Sequence, residues 1–123
     1  MIRGIVNARR EAVLSLRVRG AGGVELDVDA VVDTGYNASL TLPAAIVAAL
    51  NLVRRSSSRA MLADGSIRRF DTYAAEVNWG GSWRMVAVSA LGDEVLIGMQ
   101  LLAGHRIQID VVSGGVVEVI PLP

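Results

Sequence analysis

Four glycine-centred turns cut this chain into short segments, and they constrain its fold more than anything else in the sequence. Gly20-Ala21-Gly22-Gly23 joins Ala12–Arg19 to Val24–Val32, and Asp64-Gly65 joins Arg59–Ala63 to Ser66–Asn78. Gly80-Gly81 joins Tyr73–Trp79 to Ser82–Ser89, and Ser113-Gly114-Gly115 joins Arg106–Val112 to Val116–Ile120. Asp-Gly between two strand-like runs is a strong hairpin signal, because both residues tolerate the left-handed backbone of a tight turn. Valine dominates the segments and aromatic residues make up only 4%, which suits pleated surfaces filled by small branched side chains. Segments of this length at this spacing predict an all-β barrel or sandwich.

Two stretches break the pattern. Leu42-Pro43 leads into Ala44-Ala45-Ile46-Val47-Ala48-Ala49-Leu50, where proline at a first helical position precedes an alanine-rich run. A second short helix is expected after Gly98, through Met99-Gln100-Leu101-Leu102, ending at Gly104. Ser56-Ser57-Ser58 reads as a loop or strand kink and not as a domain boundary. With 123 residues and no linker, residues 1–123 are expected to form a single domain.

Composition removes several functions. Twelve basic and twelve acidic residues balance to zero, so the basic field that phosphate backbones require is absent and nucleic acid is not the expected partner. The pairs Arg9-Arg10, Arg54-Arg55 and Arg68-Arg69 read as solvated faces. No cysteine is present, which excludes disulfides, thiol catalysis and cysteine-based zinc sites and is compatible with a reducing cytoplasmic compartment. The start lacks the pattern of a secretory leader, and the apolar stretch Leu40 to Leu50 is too short to span a bilayer, so no membrane segment is expected. At 52% hydrophobic residues the chain is apolar for its size, which implies a partner of the same kind.

The residues with the clearest chemistry are Asp33-Thr34-Gly35. The alternating run Val24 to Asp29 turns fully apolar at Ala30-Val31-Val32 and then delivers one carboxylate into a glycine turn. A carboxylate at the inner end of a buried strand is one whose protonation the fold can tune. Val95-Leu96-Ile97-Gly98 echoes this arrangement, as another apolar strand end running into glycine and then a helix candidate.

Together these residues resemble the retropepsin-like aspartic proteases, the single-domain bacterial relatives of the retroviral-type enzymes. Asp33-Thr34-Gly35 resembles the catalytic triplet. Leu96-Ile97-Gly98 followed by Leu101-Leu102 resembles the apolar-apolar-glycine motif and closing helix. Leu62-Ala63-Asp64-Gly65-Ser66 falls where such subunits carry the flap hairpin. The likeness runs roughly from Val13 to Val119, and Tyr36-Asn37 matches an aromatic-Asn pair after the triplet. It implies an all-β fold, a closed retropepsin-type barrel with one or two short helices.

The resemblance also implies a mechanism. Two carboxylates sharing one proton activate water and polarise an amide carbonyl together. One triplet per chain cannot supply two acids, so the likeness implies a C2 homodimer with Asp33 of each subunit on the axis and a polypeptide as substrate. Thr34 would brace the two loops, and Gly35 would let its N–H approach the carboxylate. Ala63, Asp64, Gly65 and Ser66 would lie at the flap and cover substrate. Tyr36 stands where the retroviral and pepsin-like members carry a small residue, and would fill the cleft or wall it. No cofactor or metal is implied. The alternative is a catalytically inactive peptide-binding or dimerisation module on the same fold.

The remaining candidates have plain roles. His105 is the only histidine, and without a Gly-x-Ser-x-Gly sequence or partner ligands it reads as a structural or surface residue. Asp27 and Asp29 are expected on an exposed strand face. Asp110 is expected in the last barrel strand, paired with an arginine. Trp79 and Trp83, flanking Gly80-Gly81, are expected to pair across the hairpin. Met99 and Leu101-Leu102 are expected in the core or a dimer contact.

Overall fold

The computed structural model describes residues 1–123. Ten strands and two short helices follow in the order β1 (Ile2–Val6), β2 (Ala12–Arg19), β3 (Glu25–Val32), β4 (Leu40–Thr41), α1 (Ala44–Ala49), β5 (Val53–Met61), β6 (Ile67–Trp79), β7 (Ser82–Ser89), β8 (Leu96–Ile97), α2 (Met99–Leu102), β9 (His105–Ile109) and β10 (Val116–Pro121). Strand accounts for 54% of residues and helix for 8%, so the chain is all-β.

Six strands close into a barrel. The ring runs β6-β7-β4-β8-β3-β2 and returns to β6 through an extra pairing of β2 with β6. That closing seam is short, with Arg17 opposite Asn78, Val18 opposite Val77 and Arg19 opposite Glu76. Arg19 and Glu76 lock it with a two-pronged ion pair at 3.2 Å. β1, β10 and β9 extend β2 as a flanking sheet, and β5 pairs only with β6, so β5 and the first half of β6 project as a hairpin arm.

The strand alternation follows the burial it predicts. In β2, Ala12, Leu14, Leu16 and Val18 are buried while Ser15 and Arg17 face out. Asp27 and Asp29 lie on the exposed face of β3, and Asp27 pairs with Arg17 at 3.2 Å. Leu40, Leu42, Leu50, Val77, Val88, Ile97, Leu101 and Val117 fill the interior with those residues of β2. α1 follows Pro43, whose ψ of 152° leaves it extended at the cap instead of inside the first turn, while its carbonyl accepts the N–H groups of Ile46 and Val47. No helix is long and apolar enough to cross a membrane.

Ile2–Val6, to which the sequence assigned no element, forms a strand flanked by β10 and β2. Ser56-Ser57-Ser58 belongs to β5 beside a register shift between Arg54 and Ser56, which is the strand kink of the two readings left open. Other expectations need correction. β9 stops at Ile109 rather than continuing to Val112. Asp110 lies beyond it, exposed and without an ion pair, and β9 stands outside the closed ring. Trp79 and Trp83 do not pair. The two-residue turn sets Trp79 opposite Ser82 and Trp83 opposite Asn78, so the two rings leave opposite faces. Trp79 is buried edge-on to His105, to which its indole N–H donates at 3.3 Å, and Trp83 stacks under the Arg19 guanidinium at 3.9 Å. His105 thus has the structural role expected of it.

Leu16 is almost fully buried in the barrel. Leu16→Ala is expected to remove about 2 to 5 kcal/mol of stability through lost burial and the cavity it leaves. Urea unfolding of the two proteins measures this.

Candidate functional site

The site is built where two strand ends meet in parallel. Val31 of β3 stands beside Leu96 of β8, and Val32 beside Ile97. Parallel neighbours put both chain exits at the same end of the barrel, so Asp33 and Gly98 emerge side by side. The Asp33 N–H donates to the Ile97 carbonyl at 2.9 Å, which extends the ladder one residue past the strand. The acid is therefore anchored through its own backbone.

The turn after Asp33 is shaped by its carboxylate. The Gly35 N–H donates to Asp33 Oδ1 at 2.9 Å, and the Tyr36 N–H donates to the Asp33 carbonyl at 3.1 Å. A Cβ on Gly35 would sit 3.3 Å from Asp33 Oδ1, closer than a side chain packs without displacement. Glycine here keeps the carboxylate against the amide. Thr34 is exposed, and its hydroxyl makes no hydrogen bond within the chain.

Gly98 permits the second close approach. A Cβ there would fall 2.0 Å from the Ala38 carbonyl oxygen and 2.6 Å from the Tyr36 ring. Around it, the Met99 N–H donates to the Tyr36 carbonyl at 2.7 Å, the Gly98 N–H to Ser39 at 2.9 Å and the Gln100 N–H to Ala38 at 3.2 Å. Leu96-Ile97-Gly98 and α2 thus clamp the loop that carries Asp33, with Ile97, Leu101 and Leu102 buried beneath it.

An open cleft of about 350 Å³ is lined by Asp33, Gly35, Tyr36, Thr41, Leu91, Gly92, Asp93, Glu94 and Leu96. Tyr36 is a wall of this cleft. Its ring is half-buried, and its hydroxyl donates to Ser89 Oγ at 3.0 Å. Burial holds the phenol above its ordinary value, with the Ser89 hydrogen bond acting in the opposite direction. The floor is fixed by Thr41, whose buried hydroxyl donates to the Glu94 carbonyl and accepts the Leu96 N–H, both at 2.8 Å. Three carboxylates, those of Asp33, Asp93 and Glu94, line the cleft, and no basic side chain does.

Ala63, Asp64, Gly65 and Ser66 form the exposed tip of the β5–β6 arm. Asp64 Oδ1 accepts both the backbone N–H and the hydroxyl of Ser66, and these bonds hold its carboxyl below the usual range. The tip does not line the Asp33 cleft in the single chain. Sequence reasoning thus placed Asp33, Gly35, Tyr36 and Leu96 together, and the flap residues stand apart. It missed Thr41, Ser89 and the Leu91–Glu94 loop. Only the acidic Gly92-Asp93-Glu94 turn carried a readable signal. No group of carboxylates and histidine is arranged to hold a metal ion. Neither a protein-family model nor a curated protein matches this chain.

Two outcomes are expected from this geometry. Thr41→Val leaves the Leu96 N–H without its acceptor in a buried place, so it should cost about 1 to 3 kcal/mol in urea unfolding. For Tyr36, the folded state holds the phenolic proton more tightly than the unfolded chain. Its contribution is therefore complete below about pH 10 and is lost as pH rises through the folded value. Tyr36→Phe is expected to flatten the alkaline fall in stability, read as urea midpoints from about pH 9 to 11.

Proposed function

We propose that this chain is one subunit of a homodimeric aspartic endopeptidase of retropepsin type, with Asp33 as its catalytic carboxylate. The observation that carries the reading is the position of Asp33. It lies on a cleft, at the end of a barrel strand, with its carboxylate held against the Gly35 amide and its loop clamped by Leu96-Ile97-Gly98.

The chemistry follows from pairing. Asp33 from each of two protomers, about 3 Å apart across a two-fold axis, would share one proton because both cannot be charged at that distance. The ionised carboxylate takes a proton from water as the oxygen attacks the peptide carbonyl. The protonated one donates to the carbonyl oxygen, giving a neutral gem-diol. Its collapse breaks the C–N bond and passes a proton to the leaving amine. No covalent intermediate forms. Thr34, exposed beside the acid, is free to bond across the axis. The β5–β6 arm is the flap of this reading, laid over an extended substrate that bonds through its backbone as an added strand does.

Surface chemistry supports the pairing of chains. Ile5 and Val116 are cross-strand partners on the outer face of β1 and β10, and both are exposed. Val111 and Val112, each 63% exposed, extend that apolar surface in the next loop. β9 leaves a free sheet edge beside them. A homodimer interface is built from such apolar area.

Incubation with a mixed peptide pool at about pH 4 to 7 is expected to give cleavage with a bell-shaped pH profile. Asp33→Asn should lower it at least about a thousandfold, since an amide cannot share the proton. Specific activity should fall on dilution as dimers part. Binding without cleavage by both proteins would instead support the inactive module, and activity unchanged in Asp33→Asn would overturn the assignment.

A further inference from the structure

The β5–β6 arm holds charge that the fold does not use. Five of the twelve basic residues lie on it, namely Arg54, Arg55, Arg59, Arg68 and Arg69. It carries two carboxylates, and both are engaged within the arm. Asp64 is bound by Ser66, and Asp71 accepts the Ser57 hydroxyl at 3.0 Å and pairs with Arg54 at 3.2 Å. The other four arginines make no ion pair. Arg59 stands directly opposite Arg69. Like charges in that position destabilise a strand pair, so the hairpin carries a local cost that an anion would relieve.

The surroundings of this pair describe a ligand. A small open cavity of about 170 Å³ is lined by Arg59, Arg69, Ser57 and Ser58. Two guanidiniums converging on such a space offer the forked geometry that fits a carboxylate. Two residue pairs nearer the tip, on the same face, Met61 stands opposite Ile67, and both are largely exposed. The same face of β6 continues through Asp71 and Tyr73 to Ala75, Val77 and Trp79, the last three buried in the barrel. Successive rungs on one face of a strand lie about 7 Å apart, the spacing of residues i and i+2 in an extended peptide.

We infer that the β5–β6 arm selects an acidic polypeptide, seating a Glu or Asp side chain between Arg59 and Arg69 and an apolar side chain, two residues away, against Met61 and Ile67. This names the substrate class of the peptidase and rests on that reading for the role of the arm as a flap. One apolar pair beside one basic pair at this spacing favours a peptide over nucleic acid or a lipid surface, neither of which sets the two chemistries side by side at that distance. The net charge of zero agrees, because the basic residues of the arm are balanced elsewhere and create no global field.

Binding is measured on the Asp33→Asn protein, so that turnover plays no part. The probes are two fluorescein-labelled pools of extended decapeptides built from neutral residues. One fixes Leu-x-Glu at the centre and the other Leu-x-Gln. The Glu pool is expected to bind about tenfold more tightly at low salt, with the advantage shrinking as salt rises. Arg59→Gln combined with Arg69→Gln should bring the two pools to equal affinity. Because the opposed charges are gone, its thermal midpoint should not fall below that of the Asp33→Asn protein. Equal binding of the pools, a preference that survives the double substitution, or tighter binding of polyuridylate or anionic vesicles would overturn the inference. The two readings fail separately. An arginine-dependent Glu preference without cleavage by the unsubstituted protein removes only the peptidase, and cleavage without a Glu preference removes only the acidic selection.

Discussion

The structure turns on the parallel contact between the ends of β3 and β8. It is two residue pairs long, extended by the hydrogen bond from the Asp33 amide to the Ile97 carbonyl. Parallel pairing of such short segments is weak by itself. It persists because the flanking side chains, Ala30 and Ile97, lie in a core closed on itself by the β2–β6 seam. Around this contact the loop from Thr34 to Ser39 folds over Gly98, whose missing side chain is occupied by the Ala38 carbonyl and the Tyr36 ring. Barrel closure, loop position and the direction of the Asp33 carboxylate are thus one mechanical problem.

How much of this was readable depended on the range of the interactions. The glycine turns identified the β2–β3, β5–β6 and β6–β7 hairpins because turn chemistry is local. Both short helices were visible from Pro43, the alanine run and Gly98. β1 was not, since Ile2–Val6 carries no turn signal of its own and one of its two partners, Val116–Val119, lies more than a hundred residues away. The Trp79 and Trp83 pairing failed on register, because moving one residue along a strand changes its face. At the site, Asp33, Gly35 and Tyr36 announced themselves in sequence. Thr41 and Ser89 did not. Each contributes a single hydroxyl to a partner more than fifty residues distant, and neither stands in a motif.

The distribution of charge gives the proposed activity a shape. The cleft carries three acids and no base, while four of the five arginines on the arm make no ion pair. A chain with zero net charge therefore holds two regions of opposite sign, both on features that the peptidase reading assigns to substrate. In the proposed enzyme, the single Asp33-Thr34-Gly35 turn would leave the acid pair to be completed by a second chain, and the exposed apolar surface around Ile5 and Val116 would be where that chain docks.

The central claim is that two chains contribute one acid each to a shared centre, and subunit mixing addresses it directly. Co-refolding the unsubstituted protein with an equal amount of Asp33→Asn yields mixed dimers. If catalysis needs both acids, a 1:1 mixture retains about a quarter of the cleavage rate of the same total amount of unsubstituted protein, because about a quarter of the dimers carry both. A rate of one half, scaling linearly with the unsubstituted fraction, would mean that each chain works alone and would contradict the account.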